Sequence, residues 1–514
     1  MHFYGLRGKK IELVEAEDEP LGVLGAAVQP SEVTRSAHDA ERLTRATRTF
    51  FGSPVGEGSL RKAAPGRPPS VYRDARTNFL RCLYREVVVR FRPAVSAERR
   101  LAHLADFGLA TVRTSSFVPD QIVVRDPSDA KRGADLIDVA NALAERDGDI
   151  VLAAPNFVSE FKRTAAPAIP VSQWHLDNSG QFPGQVAGED VRAKQAWAVA
   201  MANRTIIVAV LDDGVDLDHP ALKDAMWRNP DATSPDQFGR DFFLDPSDPG
   251  HFDPRPKIFS APFNDPTGND IHGTPCAGLV GAAAPDGRAF GVATGCLLLP
   301  VKIFHADALA SDERVGNAIQ YAAGIADILS CSWEGPDTPL IESAIEDAAS
   351  KGRKGNGCAV FCSTGNESQP SVGFPASSGS AIAVGASTDE GLHPSYSNFG
   401  PEVALVAPSN GGSQSIFTCD VSMANRGFNL GADADGGADG LYTNGFGGTS
   451  ASAAIAAGAA GVILSQQPAL AVAQLKQILE QTADKADGVF DDAGHSNIFG
   501  FGRVNLFAAL GGGE

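Results

Sequence analysis

The sequence contains few cysteines, no excess of basic residues and no long apolar stretch. Its seven cysteines are an odd number and lack the paired spacing of zinc ligands, so free thiols are expected at Cys82, Cys276, Cys296, Cys331, Cys358, Cys362 and Cys419. The net charge of −19 disfavours nucleic acids and anionic membranes as partners, because like charges repel. No apolar run is long enough to predict a membrane span.

The N-terminal residues also lack the pattern of a secretory signal peptide. The one early apolar stretch, residues 21–28, follows the acidic residues 15–19, which is the wrong flank for the apolar region of such a peptide. A cytoplasmic location is therefore expected, with export by a route that needs no cleaved signal as the alternative.

The composition that is present favours a large globular α/β protein. Hydrophobic residues make up 43% of the chain and glycine occurs 55 times, which excludes disorder and a coiled coil and predicts many tight turns. A chain of 514 residues is long enough for roughly two to four domains.

Changes in composition divide the chain into four segments. Residues 1–80 show little periodicity and are interpreted as a flexible N-terminal segment. Residues 81–163 contain the pattern β-α-β-β-α-β, which predicts a small ferredoxin-like α+β domain whose first helix is capped by Ser96. A linker containing proline and alanine, 164–172, precedes a large domain over 173–514.

Apolar runs alternate with helical patterns throughout the large domain. Runs that are apolar on both faces predict parallel strands covered on both sides, and hence a three-layer α/β domain with a mostly parallel sheet. The predicted strands are 206–211, 297–303, 328–332, 359–363 and 382–386.

Three segments in this domain carry residues that suit nucleophilic catalysis. Asp212 ends an apolar run, His272 opens a helical pattern, and Ser450 lies in a Gly-Gly-Thr-Ser segment before a run of small residues. An aspartate, a histidine and a serine can act as orienter, base and nucleophile. Asp213 is a competing candidate for the aspartate, since it also follows the apolar run.

These segments, in the order Asp, His, Ser, resemble the subtilisin-like serine proteases, and residues 173–178 resemble the opening of the kexin-like branch. The resemblance favours Asp212 over Asp213, and it implies that Asn366 helps to bind the oxyanion. It implies a polypeptide substrate and a monomer. It also implies that residues 81–163 are a propeptide that acts as an intramolecular inhibitor, the alternative being an unrelated small α+β domain.

The resemblance places the substrate-binding strand at Ser332, Trp333, Glu334 and Gly335. Glu334 stands where subtilisins often have glycine, and an acidic wall there would favour Arg or Lys before the scissile bond. The alternative is a solvated loop carboxylate. Basic residues at positions 162 and 163, beside the predicted propeptide boundary, agree with the first interpretation.

No cofactor is expected to be required, and calcium is the metal that the resemblance allows. Candidate oxygen donors are Asp245, Asp248 and Asp253, and the loop 433–439, neither of which has the spacing of an EF-hand. Cys276 lies one helical turn after His272, and we interpret it as a neighbour of the base, not as a nucleophile.

The sequence therefore predicts a serine endopeptidase made as a self-inhibited precursor. The alternative is a catalytically silent regulatory or binding protein whose propeptide stays docked. The presence of all four candidate catalytic residues favours the enzyme.

Overall fold

A computed structural model of the chain describes most of it. The described residues are 2–6, 9–15, 70–74, 80–128, 130–131, 134–146, 148–160, 162–163, 173–259, 261–305, 309–423, 426–432 and 436–512. The chain divides into two compact units: Met1–Phe161 with Asp307–Asn317 and Gly335–Ser343, and Lys162–Ala306 with Ala318–Glu334 and Ala344–Glu514. The predicted linker 164–172 lies outside the described residues.

The described strands and helices are numbered here in chain order. The strands are β1 His2–Leu6, β2 Lys9–Glu15, β3 Ser70–Asp74, β4 Leu80–Phe91, β5 Ala110–Thr114, β6 Gln121–Arg125, β7 Ile150–Glu160, β8 Lys162–Arg163, β9 Ile207–Asp212, β10 Arg240–Asp241, β11 Leu297–Lys302, β12 Leu309–Ser311, β13 Ile328–Cys331, β14 Trp333–Glu334, β15 Ala359–Ser363, β16 Ile382–Ser387, β17 Val403–Pro408, β18 Ile416–Cys419 and β19 Tyr442–Phe446. The α-helices are α1 Ala97–Ala105, α2 Ala134–Ala144, α3 Ala193–Trp197, α4 Gly273–Gly281, α5 Asp312–Ala323, α6 Pro339–Lys351, α7 Gly448–Gln466, α8 Val472–Thr482 and α9 Leu506–Ala509.

The first unit contains the predicted β-α-β-β-α-β order, from β4 to β7. Its four strands pair antiparallel in the spatial order β7-β4-β6-β5, which is a ferredoxin-like plan. The Ser96 side chain caps α1 by accepting a hydrogen bond from the Arg99 backbone N–H at 3.3 Å, as predicted.

The same sheet also contains strands that were not predicted. Strands β1, β2 and β3 extend it beyond β4, so the expectation of a flexible segment over 1–80 is wrong for the residues of these strands. The rest of that expectation, residues 1, 7–8, 16–69 and 75–79, lies outside the described residues.

The second unit is built on a seven-stranded parallel sheet in the order β10-β11-β9-β13-β15-β16-β17. Its strands are almost wholly buried, which agrees with their apolar composition on both faces. Five of them match the five predicted strands to within one residue at either end. The mostly parallel α/β architecture is thus confirmed, while β10, β17 and the hairpin of β18 and β19 were not predicted.

Helix α7 forms the centre of the second unit. It packs against α4 and against β13, β15, β16 and β17. Within the described residues it is the one helix long and apolar enough to cross a membrane, contrary to the expectation that no stretch qualifies, but nearly all of it is buried inside the protein. Close packing requires small side chains, since a Cβ on Gly458 would lie 2.9 Å from the Val292 Cβ.

Candidate active site

The side chains of Asp212 and His272 form a buried pair. Asp212 is the last residue of β9, and both its carboxylate oxygens lie 2.9 Å from Nδ1 of His272, which immediately precedes α4. Burial alone would lower the pKa of His272, but the Asp212 carboxylate outweighs burial and holds that pKa well above its ordinary value. The pair can therefore fix the tautomer of the imidazole and stabilise its protonated form.

The two adjacent aspartates have different partners. The carboxylate of Asp213 faces the start of α4, where it accepts hydrogen bonds from the backbone N–H groups of His272 at 2.9 Å and Gly273 at 2.7 Å. Asp212 thus contacts the imidazole, while Asp213 contacts the main chain that carries it.

The hydroxyl of Ser450 lies in the first turn of α7. Its Oγ donates to the carbonyl oxygen of Ser332 at 3.4 Å, and the Ser332 hydroxyl donates to the Ser450 carbonyl at 3.0 Å. Gly448 adopts a φ of +71°, a conformation that favours glycine, as the chain turns from β19 into the helix. Helices α4 and α7 pack together, so one helix pair carries the histidine and the serine at its N-terminal ends.

Asn366 lies beside the first turn of α7. Its Oδ1 accepts hydrogen bonds from the backbone N–H and the hydroxyl of Thr449, both at 3.0 Å. The opposite end of the amide, Nδ2, is buried and has no hydrogen-bond partner among the described residues. The side chain is therefore held in one orientation with a donor available, as stabilisation of an oxyanion requires.

Cys276 is a buried neighbour of the histidine. Its Sγ lies 3.8 Å from Nδ1 of His272, on the same side of the ring as Asp212. Burial raises the pKa of the thiol to about 11, so it is protonated at neutral pH and is a poor nucleophile. Asp212, His272 and Cys276 are the one cluster of three candidate metal ligands in the described part of the chain.

The predicted substrate-binding segment follows β13 and forms the short strand β14. This strand pairs antiparallel with β8, so that Trp333 is opposite Arg163 and Glu334 is opposite Lys162. Glu334 is only 4% exposed. The alternative prediction of a solvated loop carboxylate is therefore wrong. Gly365 and Gly373 leave room for it, because a Cβ on either would lie within 2.5 Å of its Oε2.

The calcium candidates do not gather into a cation site within the described residues. Asp245 accepts from Ser247, Asp248 caps a short 3₁₀-helix, and Asp253 pairs with the guanidinium of Arg255. In the second candidate set, 433–435 lie outside the described residues and Asp439 pairs with Arg288. The described members of the two candidate sets therefore do not form a cluster of three or more carboxylate ligands.

The pattern of the subtilase family matches residues 203–502, more than half of the chain, and includes all four candidate catalytic residues. The chain belongs to the subtilase family. The calcium-dependent protease of Nostoc sp. is 32% identical to this subtilase over 433 residues, which are 79% of this chain and 60% of that protein. Kexin of Saccharomyces cerevisiae is 26% identical over 357 residues, 65% of this chain and 38% of kexin. The subtilase thus spans about three fifths of the first relative and less of the second.

Solved structures agree with the fold of this subtilase. Fervidolysin from Fervidobacterium pennivorans, a keratinolytic enzyme related to subtilisin, has a TM-score of 0.58 at 20% identity and covers 83% of this chain and 61% of its own. The serine protease of Aeromonas sobria has a TM-score of 0.54 at 21% identity and covers 68% of each chain.

Several residues around the site of this subtilase were not predicted from the sequence. Phe446 packs its ring 5.3 Å from the His272 imidazole, and Thr449 orients Asn366. The ammonium of Lys302 is buried behind Asp213. The one available indication was a lysine at the end of an otherwise apolar run.

Proposed function

We propose that this subtilase is a serine endopeptidase whose nucleophile is Ser450. The observation that carries the proposal is the buried Asp212–His272 pair. His272 lies at the start of α4, and this helix packs against α7, which carries Ser450. The buried Nδ2 of Asn366, beside the same helix, supports it, because it has no hydrogen-bond partner within the described part of the chain.

Each residue has a role that its surroundings support. His272 removes the proton of the Ser450 hydroxyl as the oxygen attacks the peptide carbonyl, and later donates that proton to the leaving amine. Asp212 stabilises the imidazolium that forms between the two steps. Nδ2 of Asn366 and the Ser450 backbone N–H donate to the oxyanion, and the N-terminal end of α7 adds a favourable dipole. Water then attacks the acyl-enzyme, with His272 again acting as the base and the same donors stabilising the oxyanion.

A fluorophosphonate tests this proposal directly, because it reacts with an activated serine. Intact-mass spectrometry of the treated wild type should show one adduct, which is absent from Ser450→Ala. No adduct on a chain already cut within 162–172 would contradict the mechanism. No adduct on an uncut chain would favour the alternative of a silent protein with a docked propeptide.

The enzyme is made, in this proposal, as a self-inhibited precursor. Its own strand β8 adds to the edge of β14 as a bound peptide substrate would, by main-chain hydrogen bonding. In the first unit, β7 is held at the start of α5, where the Ser159 hydroxyl donates to Asp312 at 2.7 Å. The serine protease of Aeromonas sobria, which has a similar fold, has been solved in complex with a chaperone. That complex is consistent with a protease domain that associates with a second domain.

The proposed substrate preference is a basic residue before the scissile bond. Glu334 is nearly buried, and its carboxylate reaches the backbone of Gly365, the residue before Asn366. A carboxylate removed from water at this place favours a cationic side chain that can pair with it.

Glu334→Gln should reduce the selectivity for Arg over an uncharged residue of similar size by at least tenfold, because it removes the charge and keeps the shape. Cleavage of a peptide library, compared as kcat/KM ratios, measures this selectivity. Glu402→Gln, on an exposed carboxylate, is the control and should leave the ratio unchanged. An equal ratio in wild type and Glu334→Gln would refute the assignment.

Asn366→Ala should lower kcat by about 10²–10³-fold, with little change in KM, because the lost donor acts on the transition state. The comparison is made in steady-state kinetics after titration of active sites. Gln369→Ala is the control, since this side chain is exposed in the same loop. A loss below about threefold would mean that Asn366 does not bind the oxyanion.

A further inference from the structure

Asp213 contacts the catalytic histidine through its main chain. Its buried carboxylate accepts from the N–H groups of His272 and Gly273, which belong to the start of α4 and have no partner within the helix. The contact is close-packed, since a Cβ on Gly273 would lie 2.3 Å from the Gly214 carbonyl oxygen. The position of the imidazole is thus tied to Asp213.

Asp213 is itself held from behind by a buried lysine. Nζ of Lys302 donates to the Asp213 carbonyl oxygen at 2.8 Å and also donates to the carboxylate of Asp270. Lys302 is fully buried at the end of β11, opposite Asp212 of β9 in the parallel register. Asp270 precedes His272 by two residues. The contacts from His272 to Asp213, Lys302 and Asp270 therefore form a closed ring that includes the main chain of the histidine.

Several titratable groups among the described residues face Lys302 and His272. Lys302 faces Asp241 and Asp270, with His305 and Lys257 beside them. His272 faces Asp212, Cys276 and the ring of Phe446. The proton transfers described above use neither Asp213 nor Lys302, although burial of such charges is costly.

We propose that Asp213 and Lys302 are positioning residues that hold the His272 imidazole in its reactive orientation. The proposal rests on the function proposed above. Asp213 fixes the main chain from which the imidazole projects, and Lys302 fixes the turn that carries Asp213. Since a displacement of about 1 Å can cost roughly 10² in rate, this arrangement contributes to kcat without contact with substrate.

Asp213→Asn is the decisive variant, because it is isosteric and replaces one of the two acceptor oxygens by a donor. We expect kcat per titrated active site to fall about 10–100-fold, with KM changed less than threefold. The acid limb of the kcat/KM profile should move to lower pH, because a buried negative charge near the imidazolium is lost. Lys302→Met should move that limb to higher pH, because it removes a positive charge.

The control is Asp231→Asn, on an exposed carboxylate that accepts hydrogen bonds from Thr233, and it should leave kcat and the pH profile unchanged. Thermal unfolding checks that every variant is folded, so misfolding of Lys302→Met leaves the decision to Asp213→Asn. Unchanged kcat, a loss confined to KM, or an unmoved acid limb in Asp213→Asn would overturn the proposal. A wild type without peptidase activity would instead refute the proposed function.

Discussion

Ser450→Ala should lower kcat by about 10⁶-fold and leave the protein folded. The substitution removes only the hydroxyl group, and alanine is a good helix former within α7. Among the described residues, the hydroxyl donates a weak hydrogen bond to the Ser332 carbonyl oxygen at 3.4 Å, and this contact is lost. The loss therefore reports chemistry and not stability. Single-turnover hydrolysis of a fluorogenic peptide, with thermal unfolding measured in parallel, tests both parts.

Ser452→Ala is the matched control for this experiment. Ser452 lies two residues further along α7, is equally buried, and donates to the Ala407 carbonyl oxygen at 2.8 Å. Its loss should lower the unfolding free energy by about 1–3 kcal/mol and keep kcat within tenfold of wild type. Activity of Ser450→Ala within about 100-fold of wild type would require another nucleophile and would end the proposed mechanism.

Asp212→Asn should lower kcat by about 10⁴-fold near neutral pH, because the amide stabilises the wrong tautomer of His272. The carboxylate also holds the pKa of His272 above its ordinary value. Since only the neutral imidazole accepts the serine proton, wild-type kcat/KM should rise with pH through a midpoint above that of an ordinary histidine. In Asp212→Asn the midpoint should move to lower pH.

The same charge pair stabilises the folded protein in a defined direction. A raised pKa in the folded state contributes stability below the unfolded-state pKa, and this contribution is lost as pH rises through the folded-state pKa. Asp218→Asn, on an exposed carboxylate, is the control for both kinetic and unfolding measurements. A loss in Asp212→Asn smaller than about 100-fold, or a midpoint that does not move, would contradict the assigned role.

The parts of the fold that local patterns determine were predictable. Ser96 caps α1 through a contact three residues away, and the apolar run before Asp212 forms β9. Strands β18 and β19 were missed because their pairing joins residues 23 to 30 positions apart, beyond any local pattern. Strand β17 has six apolar residues, the same pattern as the strands that were predicted, so its omission was an error of interpretation and not a limit of the sequence.

The residues that carry the proposed chemistry could be predicted from the sequence. The residues that hold them in place could be predicted less well. Asp212, His272 and Ser450 each stand beside glycines at the end of a recognisable element. The role of Lys302 depends on the register of β11 against β9, which decides that its ammonium lies behind Asp213. Register is a property of the assembled sheet, and it does not follow from either strand alone.

Helix α7 is buried from Gly448 to Leu464, so the segment that carries Ser450 has no exposed turn from which to unfold locally. Backbone amides of this helix should exchange with deuterated solvent only through global unfolding, while surface turns exchange by local opening. Inactivation by heat or denaturant should therefore coincide with loss of the whole fold. An ageing preparation would contain fully active and fully unfolded molecules, and the unfolded ones would be substrates for the rest.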